Sequence, residues 1–118
     1  MYCPLVKKGD FKRVFETGRR FSSKYLVVYA LPNGLDFSRL GLSVSKKTGS
    51  AVIRNKIRRR LRESVRKRLA EKPLRYDIVI VARTAAAGAP FADLDRMIAK
   101  TFAGLVNEDT TDSNRKAI

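Results

Sequence analysis

Residues 54–68 read RNKIRRRLRESVRKR. Nine of the fifteen are basic (Arg54, Lys56, Arg58, Arg59, Arg60, Arg62, Arg66, Lys67 and Arg68), against the single acid Glu63. The chemistry open to such a run is the neutralisation of phosphates. Arg54, Arg58, Arg62 and Arg66 recur every fourth residue, so on a helix they form one ridge, and each like-charged pair along it costs roughly 0.2–0.5 kcal/mol. A helix face that meets only water mixes its signs. This one scarcely does, which points to a polyanion as its partner. Arginine outnumbers lysine, and its planar fork suits two-pronged contact with phosphate and stacking on bases. Just ahead, residues 45–50 read SKKTGS. Lys46 and Lys47 lead through a small-residue loop into the helix N-terminus, where backbone N–H groups and the helix dipole favour an anion. The pattern is not a nucleoside-triphosphate loop, since no GxxxxGK[ST] is present.

What is missing narrows the chemistry further. The chain has no histidine, so the commonest general base and metal ligand are absent. Cys3 is the lone cysteine, which excludes a disulfide framework, a zinc knuckle and a CxxC redox pair, and it reads as an exposed thiol. The carboxylates are scattered: Asp10 and Glu16 bracket one short segment, and Asp93 and Asp95 open another, where acids favour a helix dipole. No close pair suggests two-metal or general acid–base catalysis. Catalytic residues and a protein-bound metal are therefore not expected.

Aromatic residues interleave with the charge. Phe11, Phe15, Phe21, Tyr25 and Tyr29 precede the basic run. Exposed beside arginines they would make a stacking groove for single-stranded RNA; by spacing alone each reads as a core residue. Tyr25 and Tyr29, four apart in a strand, are expected on one side of it.

The elements that must position these groups follow from periodicity. Residues 10–18, DFKRVFETG, predict a short helix capped by Asp10 and ended by Gly18, with Phe11, Val14 and Phe15 on one face. Residues 24–31 and 39–45 predict strands, joined as a hairpin through Pro32-Asn33-Gly34. Ile57, Leu61, Val65 and Leu69 give a long helix over 51–72 an apolar ridge, and Pro73 closes it. Residues 76–82, YDIVIVA, read as a strand covered on both faces, 85–90 as a loop, and 93–105 as a last helix. Residues 107–118 are polar and aperiodic, a frayed and disordered tail. At 118 residues and 44% apolar content this is one α+β domain, over 5–106. No apolar run has membrane-spanning length and no signal-peptide core opens the chain, so a cytoplasmic protein is expected. The charge, +15 with a pI near 10.7, repels itself unless a polyanion neutralises it.

Residues 41–63, GLSVSKKTGSAVIRNKIRRRLRE, resemble the signature of the bacterial ribonuclease P protein family. Outside it, LVKKGDFKRVFETGRR resembles the family's N-terminal helix and RYDIVIVAR its last strand. The resemblance covers roughly residues 5–105. It implies a sandwich with a small mixed four-stranded sheet, about three helices, the order α-β-β-β-α-β-α, and a left-handed βαβ crossover where the general rule favours a right-handed one. It implies that Lys46, Lys47, Arg54, Asn55, Lys56, Arg58, Arg59 and Arg62 face RNA. Lys56 stands where the family often has arginine, which keeps the charge and loses the fork. It also implies a cleft for the single-stranded 5′ leader of precursor tRNA, lined by Phe11, Phe15, Phe21 and Tyr29. The implied partners are the ribonuclease P RNA and precursor tRNA, with no membrane and no DNA. The RNA subunit would carry the active site and its Mg2+. Two other readings stay open on the residues alone: a general or ribosomal RNA-binding protein, and a protein-only endonuclease, against which the missing histidine and carboxylate pair argue.

Overall fold

The strand YDIVIVA has apolar residues on both of its sides, so it is stable only where both faces are covered. In the computed structural model, which describes residues 2–106 with their side chains, it lies at the centre of a five-stranded sheet. In chain order the elements are β1 (Tyr2–Pro4), α1 (Lys8–Thr17), β2 (Arg19–Ser22), β3 (Leu26–Pro32), β4 (Ser38–Val44), α2 (Ala51–Glu71), β5 (Tyr76–Ala82) and α3 (Phe91–Ala117). Single 3-10 turns occupy Lys46–Thr48 and Thr84–Gly88, the second overlapping the stretch expected as a loop. The expected tail at 107–118 lies outside the described residues.

The sheet order is β1-β4-β5-β3-β2. It is mixed: β1 and β5 run parallel to β4, while β3 runs antiparallel to β5 and to β2. β4 and β5 are adjacent and joined through α2, a βαβ unit, whereas the hairpin expected between β3 and β4 does not form, because β5 lies between them and pairs with both. β1 is one strand more than expected. Its three residues carry no alternating pattern to announce it, and it forms because residues 2–4 reach an otherwise unpaired edge of β4.

Period-two alternation divides the core between the two faces. Leu26, Val28, Ala30, Leu40, Val44, Ile78 and Ile80 point to one side and pack with Ile57, Leu61, Val65 and Leu69 of α2 and Leu94, Ile98, Phe102 and Leu105 of α3. Val79 points to the other side and packs with Leu5 and with Val14 of α1. The two long helices thus cover one face and the short helix covers part of the other. Half-buried Asp95 joins the long helices, accepting hydrogen bonds from Ser64 Oγ at 2.6 Å and Arg68 Nη2 at 2.7 Å.

Candidate nucleic-acid interface

α2 starts where the loop prepares it. Gly49 has φ +156°, a conformation L side chains rarely adopt, and the Ser50 side chain caps the helix by accepting from the Ile53 N–H at 3.3 Å. Ile57, Leu61, Val65 and Leu69 are buried as predicted, which turns the basic residues outward. Asn55, Lys56, Arg59, Arg62, Arg66 and Lys67 are exposed; Arg54, Arg58, Arg60 and Arg68 are half-buried. Arg68 is structural, paired with Asp95 at 2.7 Å and Glu71 at 3.6 Å. Among the described residues it is the only cation of α2 in an ion pair. Arg58 instead donates to the Asn55 side-chain oxygen at 3.1 Å. Lys46 and Lys47, both exposed, form the 3-10 turn ahead of the cap. The eight predicted basic-site residues therefore all lie on α2 and the turn ahead of it, and among the described residues none of their cations is in an ion pair.

The other face of the sheet carries an aromatic row. Phe11 and Phe15, one turn apart on α1, have ring centroids 6.3 Å apart, and Phe15 meets Tyr29 of β3 edge-on at 4.9 Å. Phe15 is 41% exposed, so the row is open to solvent. Alternation puts Arg20 beside Tyr29 across the β2–β3 ladder, exposed on the same face. Phe11 lies against Gly41 so closely that an added Cβ there would come within 2.5 Å of the ring. That glycine is what lets α1 settle onto β4.

α1 is held in place by charge. Asp10 does not cap it; the N-cap is Lys7, with no side-chain bond, and Asp10 lies in the first turn. The fully buried Asp77 of β5 accepts from Arg39 Nε at 2.8 Å and Nη2 at 2.6 Å, from Asn33 Nδ2 at 3.0 Å and from Arg13 Nη2 at 3.1 Å. Arg39 also reaches Asp10 Oδ2 at 3.3 Å. Burial pushes the Asp77 carboxyl up, but the hydrogen bonds from Arg39, Asn33 and Arg13 outweigh it and hold the group below the usual carboxylate range. Its hydrogen bond to Asp77 raises Arg39 in turn. Sequence reasoning missed this network. A buried aspartate inside an apolar strand pattern was the available signal.

Two predicted aromatics are not part of the row. Phe21 points to the opposite face, against Gly104 of α3 and under the Arg19 guanidinium at 4.9 Å. Its ladder partner is Val28, not Tyr29, so alternation turns it away from the cleft. Tyr25 sits before β3, outside the strand's alternation. It packs against the α2–α3 core with Lys24 Nζ 5.4 Å from its ring, not on the side of Tyr29.

The row and the basic helix meet at the β4 edge. Phe11 and Leu42 line a cavity of about 240 Å³ together with Arg58 and Arg62 of α2. Among the described residues no three of His, Cys, Asp and Glu cluster to hold a metal ion, and Asp10 and Asp77 are engaged by arginines. The donor set does not fit a resident cation. The surface can bind phosphates, stack bases and position a strand.

This arrangement matches known proteins over nearly all of its described length. The family model for ribonuclease P matches residues 3–106. The ribonuclease P protein component of Clostridioides difficile (strain 630) is 46% identical over 95 residues, spanning 80% of this chain and 83% of the relative. That of Clostridium acetobutylicum is 39% identical over 109 residues, spanning 89% and 92%. Among solved structures, the Staphylococcus aureus RNase P protein superposes with a TM-score of 0.75 at 33% identity, covering 85% of this chain and 92% of that one. The Thermotoga maritima RNase P protein gives 0.74 at 31%, covering 83% and 93%. On sequence and fold together, the chain belongs to the family of ribonuclease P protein components.

Proposed function

We propose that this subunit binds the catalytic RNA of ribonuclease P through α2 and the preceding Lys46–Thr48 turn, and holds the single-stranded 5′ leader of precursor tRNA along Phe11, Phe15 and Tyr29. The observation that carries the reading is the meeting of an un-neutralised arginine ridge with an open aromatic row at the β4 edge. Arginine forks take up phosphates, while Phe15 and Tyr29 offer π-faces to bases of any identity, as a leader of variable sequence requires. Phe21, on the other face, is left out of the cleft. The protein supplies affinity and electrostatics, and the RNA subunit supplies the active site with its Mg2+. Precursor tRNA and the RNA subunit are the partners, in the cytoplasm, with no role for DNA or a membrane; no helix among the described residues is long and apolar enough to cross one.

The test is cleavage of a precursor tRNA by a bacterial ribonuclease P RNA at low magnesium, with and without the protein. A large acceleration that grows with leader length, with no cleavage by protein alone, supports the reading. Tight binding without acceleration would instead make the chain a general RNA-binding protein, and cleavage by the protein alone would make it a nuclease.

A further inference from the structure

β1 is short, and its shortness leaves a gap. The β1–β4 ladder ends at the bond from the Leu5 N–H to the Leu40 carbonyl, 2.8 Å. In a parallel strand the N–H and C=O of one residue point to the same side, and alternate residues repeat that direction. Leu42 therefore turns its own N–H and C=O to the edge that Leu40 uses. The chain at Leu5 and Val6 has by then turned away toward α1, so no ladder bond follows among the described residues. The cavity of about 240 Å³ lies here. It is lined by Tyr2, Pro4 and Val6 of β1 and the chain just after it, by Phe11 of α1 and Leu42 of β4, and by Arg58 and Arg62 of α2. Val6 is 75% exposed, an apolar side chain held in water at the cavity's mouth. Neither arginine has an acidic partner among the described residues.

An apolar slot beside an aromatic ring, a backbone donor and acceptor on one strand edge, and two guanidinium groups with no acidic partner have one common ligand. We infer that the cavity between β1, α1 and α2 is a pocket for one unpaired nucleotide of RNA. The base enters between Phe11 and the Tyr2–Val6 wall, its edge hydrogen-bonds to the Leu42 backbone, and Arg58 and Arg62 take the flanking phosphates. This rests on the RNA-binding reading above and deepens it. It assigns Arg58 and Arg62 to an inserted nucleotide, and gives Phe11 two sides, the aromatic row on one and this pocket on the other. The nucleotide can come from the catalytic RNA or from the leader.

Val6→Trp fills the mouth of the pocket without removing a cation, and Val6 is too exposed for the change to disturb the core. Binding of the catalytic RNA alone, and of precursor tRNA with and without leader to the assembled enzyme, is measured for wild type and variant, with thermal unfolding to show that both are folded. Loss of one stacked base is expected to lower affinity roughly tenfold. A loss with the catalytic RNA alone supports the pocket and assigns the nucleotide to that RNA. A loss confined to leader-bearing precursor supports it with the nucleotide in the leader. Unchanged affinity in every arm for folded Val6→Trp overturns the pocket and leaves the RNA-binding reading standing. That reading fails separately, if wild type binds none of these RNAs.

Discussion

Arg39 on β4 and Asp77 on β5 face each other across the parallel ladder and form a two-pronged pair, Nε to Oδ1 at 2.8 Å and Nη2 to Oδ2 at 2.6 Å. Both bonds lie on the sheet, yet their consequence is on α1. Arg13 reaches into the same carboxylate and Asp10 accepts from the same guanidinium, so one helical turn is fastened to two strands by alternating charge. Phe11 and Phe15 stand on that turn and the next. The geometry of the aromatic row is thus set by groups that need never touch RNA.

Removing the acid isolates this effect. Asp77→Ala leaves Arg39 and Arg13 without their shared partner, and breaking a buried pair costs about 3–5 kcal/mol. Because Arg39 and Arg13 keep side-chain exposures of 23% and 52%, the loss should fall near the lower end, about 3 kcal/mol. Urea denaturation measures it. A loss under about 1 kcal/mol would mean that α1 is held by Val14 packing alone.

Acid should reproduce the mutation. Asp77 is held below its usual range by its donors against the opposing effect of burial, and Asp95 is lowered by the Ser64 hydrogen bond, opposed by burial and aided by Arg68. Groups with depressed folded values stabilise the fold above their unfolded value, near 3.9 for aspartate, and lose that contribution as pH falls through the folded one. Tm should therefore hold from neutral pH to about 5 and drop below about 4. Asp77→Asn should lower Tm at neutral pH and flatten the acid limb; an acid limb unchanged by Asp77→Asn would assign the transition to other carboxyls.

The helix α2 was legible from residues because two signals coincide on it: an apolar ridge every fourth residue and a cationic ridge beside it. Its burial and its outward charge follow. The strand β5 was legible as doubly covered for the same reason, an apolar run with no polar side. What stayed hidden depended on pairing. The resemblance places Phe21 in the cleft, but the β2–β3 register sets it opposite Val28 and against the core, where spacing alone had put it; Tyr25 reads like a neighbour of Tyr29 until β3 is seen to begin after it. β1 is three residues whose only reason to extend is the edge they meet. Asp77 gave no hint of its partners, since Asn33, Arg39 and Arg13 lie 38 to 64 positions away.

Charge and packing on α2 separate by substitution. Arg62→Ala should leave stability nearly unchanged and remove about one phosphate contact, reducing the salt slope of single-strand binding by about 0.7. If four or five phosphates are neutralised, the wild-type slope is about −3. Leu61→Ala, at a fully buried position, should cost about 2–5 kcal/mol. Salt titrations and denaturation on both variants decide the assignment, and the reverse pattern would place Arg62 in the fold and not at the interface.

The leader reading can be tested on one exposed ring. Phe15 is 41% exposed, so Phe15→Ala should change stability little. It should weaken leader-bearing precursor by about 1–3 kcal/mol while sparing a leaderless substrate. Equal loss on both substrates would move Phe15 out of the leader's path.

The strictest prediction concerns a methyl group. Gly41→Ala places a Cβ about 2.5 Å from the Phe11 ring, closer than real contacts allow, and β4 is fixed between its neighbours and cannot retreat. The ring must move, and with it the spacing to Phe15 and the wall of the β4-edge cavity. Leader affinity should fall although neither residue 41 nor any cation contacts RNA differently. Shortening the ring in the double variant Gly41→Ala, Phe11→Leu relieves the clash and should recover stability without recovering affinity, since the π-face is gone. Recovery of both would show that Phe11 fills space only; recovery of stability alone identifies its ring as part of the binding surface.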